Sequence, residues 1–469
     1  MTFDSLAFLI FLPVAVGIHW ILPHRWRKYW LLAASWFFYM YWNPALIVLL
    51  LFSTVVDYGC SRGMEAAEGA RRKTLLLVSI FVNLGLLFSF KYLDFFGETV
   101  NYWCALTGIP YRVPAFHLIL PVGISFYTFQ TMSYTIDVYR RRIPAERDFV
   151  TFALYVSFFP QLVAGPIERA GALLPQLRAE RHPSREDFAA GFQLLVSGFF
   201  RKVVIADLCG RFVDRVYGAS GAADGAAVVV ATLLFAVQIY CDFAGYSEIA
   251  AGGARLMGIR LMRNFDRPYL SGSIREFWRR WHISLSGWFT DYLYIPLGGS
   301  RKGLKRQILA TLVVFAASGL WHGARWTFVL WGLFHGLLMT TELLLPRKNP
   351  ADHRRLWVDL TFGAVTLSWI FFRSNTVEQA FGFLAALVQP WNIAAAWEQL
   401  GMTAMDAAQL ALALLHLPGL HALSRTMDPG GERAKPADIT YVYYFAVIAL
   451  AWLLRMENNT VSTFIYFQF

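Results

Sequence analysis

Two histidines stand in sequence contexts where an imidazole can do acid–base chemistry, and His322 is the first. It lies in the run SGLWHGA (residues 318–324), about midway through an apolar stretch over residues 307–345. An ionisable residue in such a stretch is costly to bury and is therefore a functional candidate. Apolar burial disfavours the imidazolium, and a general base needs the neutral ring. The alternative is a hydrogen-bonded core histidine.

His282 is the second candidate, because it lies beside a stripe of mostly aromatic residues at steps of three and four. The stripe predicts an amphipathic interfacial helix. Membrane anchorage explains the stripe but needs no imidazole. His335, thirteen residues after His322, is a weaker candidate. The stripe consists of Trp278, Trp281, Leu285, Trp288 and Tyr292.

Polar residues also recur along the apolar run 225–250. Gln238 and Asp242 are four residues apart and share a helix face, with Tyr246 one turn further. Together with Trp321, which precedes His322, they are candidates for orienting a histidine or lining a tunnel. The alternative is that the polar face joins helices by hydrogen bonds.

Positive charge is concentrated in residues 251–306, which hold eleven Lys and Arg against three acidic residues in a chain of net charge +11. A basic, aromatic-rich segment between apolar runs is expected on the cytoplasmic surface. Its turn GGSRKG (298–303) lacks the spacing of a phosphate-binding loop. Arg301 and Lys302 remain candidates for attracting the phosphates of a coenzyme, and simple positive-inside topology explains them equally well.

The elements that must position these residues are membrane helices. The chain has 469 residues, 57% hydrophobic and 16% charged, which argues against a water-soluble fold. We therefore predict an all-α polytopic membrane protein of about ten to twelve spanning helices. The apolar runs cover residues 5–22, 29–43, 44–60, 74–90, 117–136, 225–250, 307–345, 357–372 and 439–454.

Basic loops predict the orientation of the amino-terminal half. Residues 23–28, 61–73 and 137–148 are basic and alternate with the nearly base-free segment 93–116, so we expect the amino terminus outside the cytosol. The first run has no basic leader or cleavage site and is predicted to be retained. The run 149–165 has basic residues on both sides and two Pro-containing breaks, which indicates a re-entrant or interfacial segment.

Other chemistries find no support in the sequence. Cys60, Cys104, Cys209 and Cys241 stand alone, and there is neither an HExxH motif nor a GxSxG elbow. We therefore expect no metal site, no bound cofactor and no nucleic-acid partner. The rival from another class is a transporter or flippase, which inverted repeats would favour, and none are evident.

Three motifs resemble the core of the membrane-bound O-acyltransferase (MBOAT) family. They are EFWRRWHISLS (276–286), YLYIPLGG (292–299) and LWHG (320–323). The resemblance is closest to the alginate-type polysaccharide O-acetyltransferases and covers almost the whole chain. It implies that His322 is catalytic and that His282 lines the same tunnel, in a ring of helices with re-entrant segments.

The resemblance also implies the direction of transfer. An acetyl group would pass from cytosolic acetyl-CoA across the bacterial inner membrane to periplasmic acetyltransferase or acyl-carrier partners, and from them to a polysaccharide such as alginate. A D-alanyl or other acyl transferase of the same family, acting on teichoic acid, cellulose or peptidoglycan, is the alternative.

The predicted domain is a single membrane domain over residues 1–469, with amino-terminal helices (1–148), a catalytic core (149–345) and carboxyl-terminal helices with an aromatic tail (346–469). Residues 456–469 are expected outside. Their ending FIYFQF (464–469) resembles partner peptides of the D-alanylation system, which makes Tyr466 a candidate acyl relay. An aromatic residue at the membrane interface is the alternative.

Overall fold

The computed structural model describes residues 1–163, 165–219, 221–345, 354–424 and 445–449, and this part of the chain is helical, with no β-strand. The chain divides into two compact units. The first comprises Met1–Gly191 and Gly253–Met262, and the second comprises Phe192–Gly252 and Arg263–Phe469. The all-α fold class is thus as predicted, while the ring around a central tunnel and the three-part division of the domain stay predictions.

The first unit is built from helices with conventional start signals. The Ser5 side chain accepts a hydrogen bond from the Phe8 amide at the start of α1, and Asp148 caps α7 in the same way through the Val150 amide. Its helices are α1 (Leu6–Ile21), α2 (His24–Met40), α3 (Ile47–Ala66), α4 (Gly69–Leu87), α5 (Leu93–Thr107), α6 (Ile124–Tyr139), α7 (Phe149–Ser157), α8 (Phe159–Leu162) and α9 (Ala170–Arg178).

Two helices contribute residues to both units: α10 (Arg185–Phe199) and α12 (Gly225–Leu256). The remaining helices belong to the second unit. They are α11 (Asp207–Gly218), α13 (Ile274–Arg280), α14 (Ile283–Phe289), α15 (Leu304–His322), α16 (Trp326–Leu344), α17 (Arg354–Arg373), α18 (Val377–Ala386), α19 (Ile393–Leu400), α20 (Ala404–Leu415) and α21 (Leu417–Ser424).

Seven helical segments in the described part of the chain are long and apolar enough to cross a membrane, or eight if the bent pair near residue 402 is one span. This number is below the ten to twelve expected. One reason is that α1, with 16 residues, is shorter than each of the seven segments. Another is that most of the run 439–454 lies outside the described residues. The segments are Pro44–Ala66, Gly69–Thr107, Arg185–Gly218, Gly225–Leu256, Leu304–His322, Trp326–Leu344 and Arg354–Arg373.

The sequence predicts that the segment 149–165 is not a spanning helix, and the structure confirms this. It folds as the nine-residue α7 and the four-residue α8, separated at Phe158. Nine helical residues extend only about 14 Å, roughly half the bilayer core. Nearly every side chain described here is buried, so protein surrounds the break.

The apolar stretch 307–345 breaks near Gly323, also as predicted, and forms the antiparallel hairpin of α15 and α16. The two backbones approach closely at Gly319 and Gly332. A Cβ atom on Gly319 would lie 2.2 Å from the Phe328 carbonyl oxygen, and one on Gly332 would lie 2.2 Å from that of Phe315. Only glycine fits at these positions without moving the helices apart.

We therefore expect Gly332→Ala to lower the stability of the protein by about 1–3 kcal/mol, the usual cost of overpacking. Thermal unfolding of the detergent-solubilised chain measures the change. Gly363→Ala in α17 is the matched control, because a Cβ atom there meets nothing within 4 Å. Equal transition temperatures for both variants would contradict the close helix contact.

Candidate active site

His322 is the last residue of α15, and the fold holds it at the turn of the hairpin. Gly323 follows in an extended conformation, which ends the helix. A Cβ atom on Gly323 would lie 2.2 Å from the Phe328 ring, so the chain turns tightly against α16. His322 is only 2% exposed. Its ring lies 5.1 Å from that of Trp331 and 5.5 Å from that of Phe372, measured between centroids.

His282 occupies the link between α13 and α14 and is fully buried, at 0% exposure. Its φ angle of 43° lies in the left-handed region, which a residue with a side chain adopts at an energetic cost. Such strain persists where the surrounding structure enforces it, often at functional sites. Burial lowers the pKa of His282 to about 3, so its ring is neutral at physiological pH.

The continuous interfacial helix predicted from the aromatic stripe is therefore wrong. The left-handed His282 divides it into two seven-residue helices, followed by a π-helical turn over Thr290–Tyr294. The stripe also faces protein, since Trp281 and Leu285 are each 1% exposed and Trp278 and Trp288 are 8% and 6% exposed. These residues serve as core, and the break directs the imidazole inward.

The break brings His282 and His322 together. Their ring centroids are 6.2 Å apart, and the Trp321 ring lies against both, 5.7 Å from His282 and 5.0 Å from His322. The Phe243 ring packs 4.7 Å from His282. The result is a pair of buried imidazoles in an aromatic enclosure. One ring can accept a proton from a hydroxyl while the other contacts a carbonyl oxygen, each within the usual reach of about 3 Å.

His335, the weaker candidate, is held by two hydrogen bonds. Trp278 Nε1 donates to His335 Nδ1 at 3.3 Å, and His335 Nε2 lies 2.9 Å from Ser368 Oγ. Because an indole nitrogen only donates, the proton of a neutral His335 ring is on Nε2. Ser368 Oγ in turn donates to the Val365 carbonyl at 2.6 Å. His335 thus joins α13, α16 and α17 and fits a structural role.

The polar face predicted on α12 exists, and its side chains meet the segment that contains Lys202. Lys202 Nζ lies 2.9 Å from Asp242 Oδ1 and 6.0 Å from the Tyr246 ring centroid. The Gln238 amide packs against Gly210, where an added Cβ atom would lie 2.8 Å from Gln238 Nε2. This arrangement agrees with the helix-joining alternative, and the tunnel or orienting role stays a prediction.

Arg301 and Lys302 lie on the turn before α15, and both are exposed. The turn contains Gly298, Gly299 and Gly303, all with positive φ angles. The Lys302 stem packs close to Gly298, within 3.0 Å of an added Cβ atom. A role in binding donor phosphates stays a prediction, and Tyr466 lies outside the described residues.

The sequence reasoning missed one segment. Residues Arg185–Gly218 form a candidate span with a π-helical region at Phe200–Ala206. Arg201 Nε lies 3.1 Å from Glu248 Oε2, and Lys202 Nζ lies 2.8 Å from Asp207 Oδ1 in addition to its contact with Asp242. The sequence did contain a signal, namely two adjacent cations within an apolar run. Charged residues in membrane helices usually face the protein interior and pair with residues of opposite charge.

Arg201 and Glu248 are a buried ion pair, since their side chains are 0% and 8% exposed. Each charge needs the other as its partner, because an unpaired buried charge destabilises the folded protein. We expect Arg201→Met to destabilise the protein by about 3–5 kcal/mol, because it leaves a buried unpaired carboxylate. The double variant with Glu248→Gln should recover most of that loss. Thermal unfolding of the single and double variants measures the coupling, and additive losses would contradict it.

Residues 19–347 match the model of the MBOAT, membrane-bound O-acyltransferase family. The chain is a member of the MBOAT family. It is therefore an O-acyltransferase and a multi-pass membrane protein, which decides against the transporter alternative. The match contains both His282 and His322.

Curated relatives of this MBOAT protein act on several polymers, according to their names. It is 36% identical to a probable alginate O-acetylase of Pseudomonas putida over 100% of both chains. It is 34% identical to a peptidoglycan O-acetyltransferase of Helicobacter pylori over 77% of this chain and 73% of the relative. It is 28% identical to a teichoic acid D-alanyltransferase of Streptococcus thermophilus over 54% of this chain and 68% of the relative.

Proposed function

We propose that this MBOAT protein is the membrane component of a cell-envelope polysaccharide O-acetylation system. It moves an acetyl group from acetyl-CoA in the cytosol across the inner membrane to periplasmic partner proteins, which esterify the polymer. The observation that carries the proposal is the buried pair of His282 and His322, at 6.2 Å between ring centroids, inside the residues that match the family. The amino terminus then lies in the periplasm, in agreement with the basic loops.

In this mechanism His322 acts as the general base. Its imidazole takes the proton of the attacking hydroxyl, and the hydroxyl oxygen bonds to the acetyl carbonyl carbon. The thioester C–S bond then breaks, and the departing thiolate takes the proton from the imidazolium and leaves as the thiol. General-base catalysis typically contributes about 10²–10⁴-fold in rate. His282, whose ring is neutral, hydrogen-bonds the donor carbonyl or the developing oxyanion through its N–H group, and the aromatic enclosure keeps water from the thioester.

Alginate is the polymer that the relatives favour, because the match to a probable alginate O-acetylase covers both chains completely. Peptidoglycan O-acetylation is the second candidate, supported by 34% identity over 77% of the chain. A carrier-protein thioester donor, as a D-alanyl transferase would use, is the remaining alternative. Incubating membranes with labelled acetyl-CoA or with a labelled D-alanyl carrier protein distinguishes the two donors.

His322→Ala should abolish polymer acetylation, because it removes the base. The measurement is ester-bound acetate, released by mild alkali and quantified separately for the exopolysaccharide and the peptidoglycan of a deletion strain that carries the variant. His117→Asn is the matched control, since His117 is exposed and asparagine tolerates its positive φ angle. Expression and membrane insertion should be normal for both, and undiminished acetate with His322→Ala would refute the role.

The hydroxyl that His322 activates belongs either to Tyr466 or to a serine of a partner. If Tyr466 is a covalent relay, intact-mass analysis after incubation with acetyl-CoA should show one added acetyl group that is absent from Tyr466→Phe. Tyr466→Phe should also lower polymer acetylation at least tenfold, since phenylalanine keeps the ring and loses only the hydroxyl. Unchanged transfer by this variant would eliminate the relay and leave the partner serine as acceptor.

A further inference from the structure

The first unit contains a cavity of about 530 Å³ that has no role in the mechanism above. Its walls come from the start of α2, the link before α7, the end of α9 and the segment that follows α12. The first two belong to the basic stretches 23–28 and 137–148 that the sequence places on the cytosolic side, and the third holds basic residues that follow the run 149–165. Positive-inside topology requires cations in these loops, but it does not require separate loops to converge on one cavity.

Six arginine and lysine side chains line the cavity: Arg25, Arg27, Lys28, Arg147, Arg178 and Arg181. Two of them are neutralised at the cavity wall. Lys28 Nζ lies 2.5 Å from Asp148 Oδ2, and Arg178 pairs with Glu146. For the other four, no carboxylate lies within ion-pair distance among the residues that the structure describes. The cavity therefore carries a positive field suited to an anion.

One of these cations, Arg27, is also held in place. Arg27 Nε donates to the Leu22 carbonyl at 3.0 Å, its Nη1 donates to the Arg181 carbonyl at 2.6 Å, and its guanidinium lies 4.9 Å from the Trp20 ring centroid. These contacts tie the α1–α2 link to the chain after α9. A guanidinium fixed by its neighbours loses less entropy when it binds an anion.

Two buried polar groups at the cavity have no hydrogen-bond partner within the described chain. The first is the imidazole of His19, through both of its ring nitrogens, and the second is the Nε group of Arg181. His19 is only 4% exposed and lines the cavity. Burying a polar group without a partner is costly, which points to an occupant that supplies one. Leu31, Met257 and Ile259 add an apolar wall.

We propose that this cavity binds a phosphate-bearing ligand, either the phosphates of a soluble coenzyme or the headgroup of an anionic phospholipid. A guanidinium group can donate two parallel hydrogen bonds to the oxygens of a phosphate. Several arginine side chains around one site therefore favour a ligand group with more than one charged oxygen. The volume exceeds that needed for a bare phosphate ion and falls in the range of small-molecule sites. The proposal does not depend on the roles of His282 and His322.

The test compares two double variants of the full-length chain in detergent. Arg25→Gln/Arg147→Gln removes two exposed cavity cations that have no carboxylate partner among the described residues. Arg71→Gln/Lys73→Gln is the control, because both side chains are exposed at the start of α4 in the same unit and neither lines the cavity. Coenzyme A binding is measured by calorimetric titration, and retention of phosphatidylglycerol against phosphatidylcholine by native mass spectrometry.

The cavity variant should bind one of the two probes about 10- to 100-fold more weakly, the usual effect of losing charge-assisted hydrogen bonds, while the control stays within about twofold of wild type. Loss of coenzyme A binding alone identifies a soluble ligand, and loss of phosphatidylglycerol alone identifies a lipid. The proposal is overturned if wild type binds neither probe or if the cavity variant binds both as wild type does. A cavity variant that binds both probes as wild type does leaves the acetyl-transfer proposal intact, whereas a wild type that binds neither probe also argues against coenzyme A as the donor.

Discussion

The close approach of α15 and α16 at Gly319 and Gly332 is the contact on which the site depends. Because the two backbones nearly touch there, the turn between them is tight, and α15 ends at His322. The same approach places the ring of Trp331, on α16, 5.1 Å from that of His322. Without it, the histidine would sit at the end of a loose loop.

A second constraint is that polar groups at membrane depth need partners within the protein. The second unit meets it with the Arg201–Glu248 pair and the contacts of Lys202. The first unit meets it around Asp57, which accepts hydrogen bonds from Ser79 Oγ at 2.6 Å and from Asn83 Nδ2 at 2.8 Å. These networks fix neighbouring helices, so that the few side chains left for chemistry are held in position.

The sequence predicted much of this arrangement, and its errors have physical causes. The break near Gly323 was predictable, because an apolar stretch too long for one crossing contains a glycine beside a histidine. The break at His282 was not predictable. The aromatic residues on either side of it still recur in the sequence at steps of three and four, and nothing in that pattern shows that a histidine between them adopts a left-handed conformation. The span with Arg201 and Lys202 was missed because the two charges interrupt its hydropathy, and the partners Glu248 and Asp242 lie on α12.

The cavity among the basic loops shows a different limit. Each loop was recognisable from its own charges, but their convergence depends on contacts such as that between Arg27 and the Arg181 carbonyl, which join residues far apart in the chain. The histidine pair is similar: His282 and His322 were both identified as candidates, and only the fold showed that one tryptophan, Trp321, lies against both rings.

The most direct test of the central claim is a structure of the protein with a non-hydrolysable acetyl-CoA analogue. In this analogue a methylene group replaces the thioester sulfur, so that the thioester becomes a ketone. If transfer takes place between the two histidines, the ketone carbonyl should lie within about 3.2 Å of a ring nitrogen of His322 or His282, beside Trp321. An acyl group bound with full occupancy outside this aromatic enclosure would contradict the account.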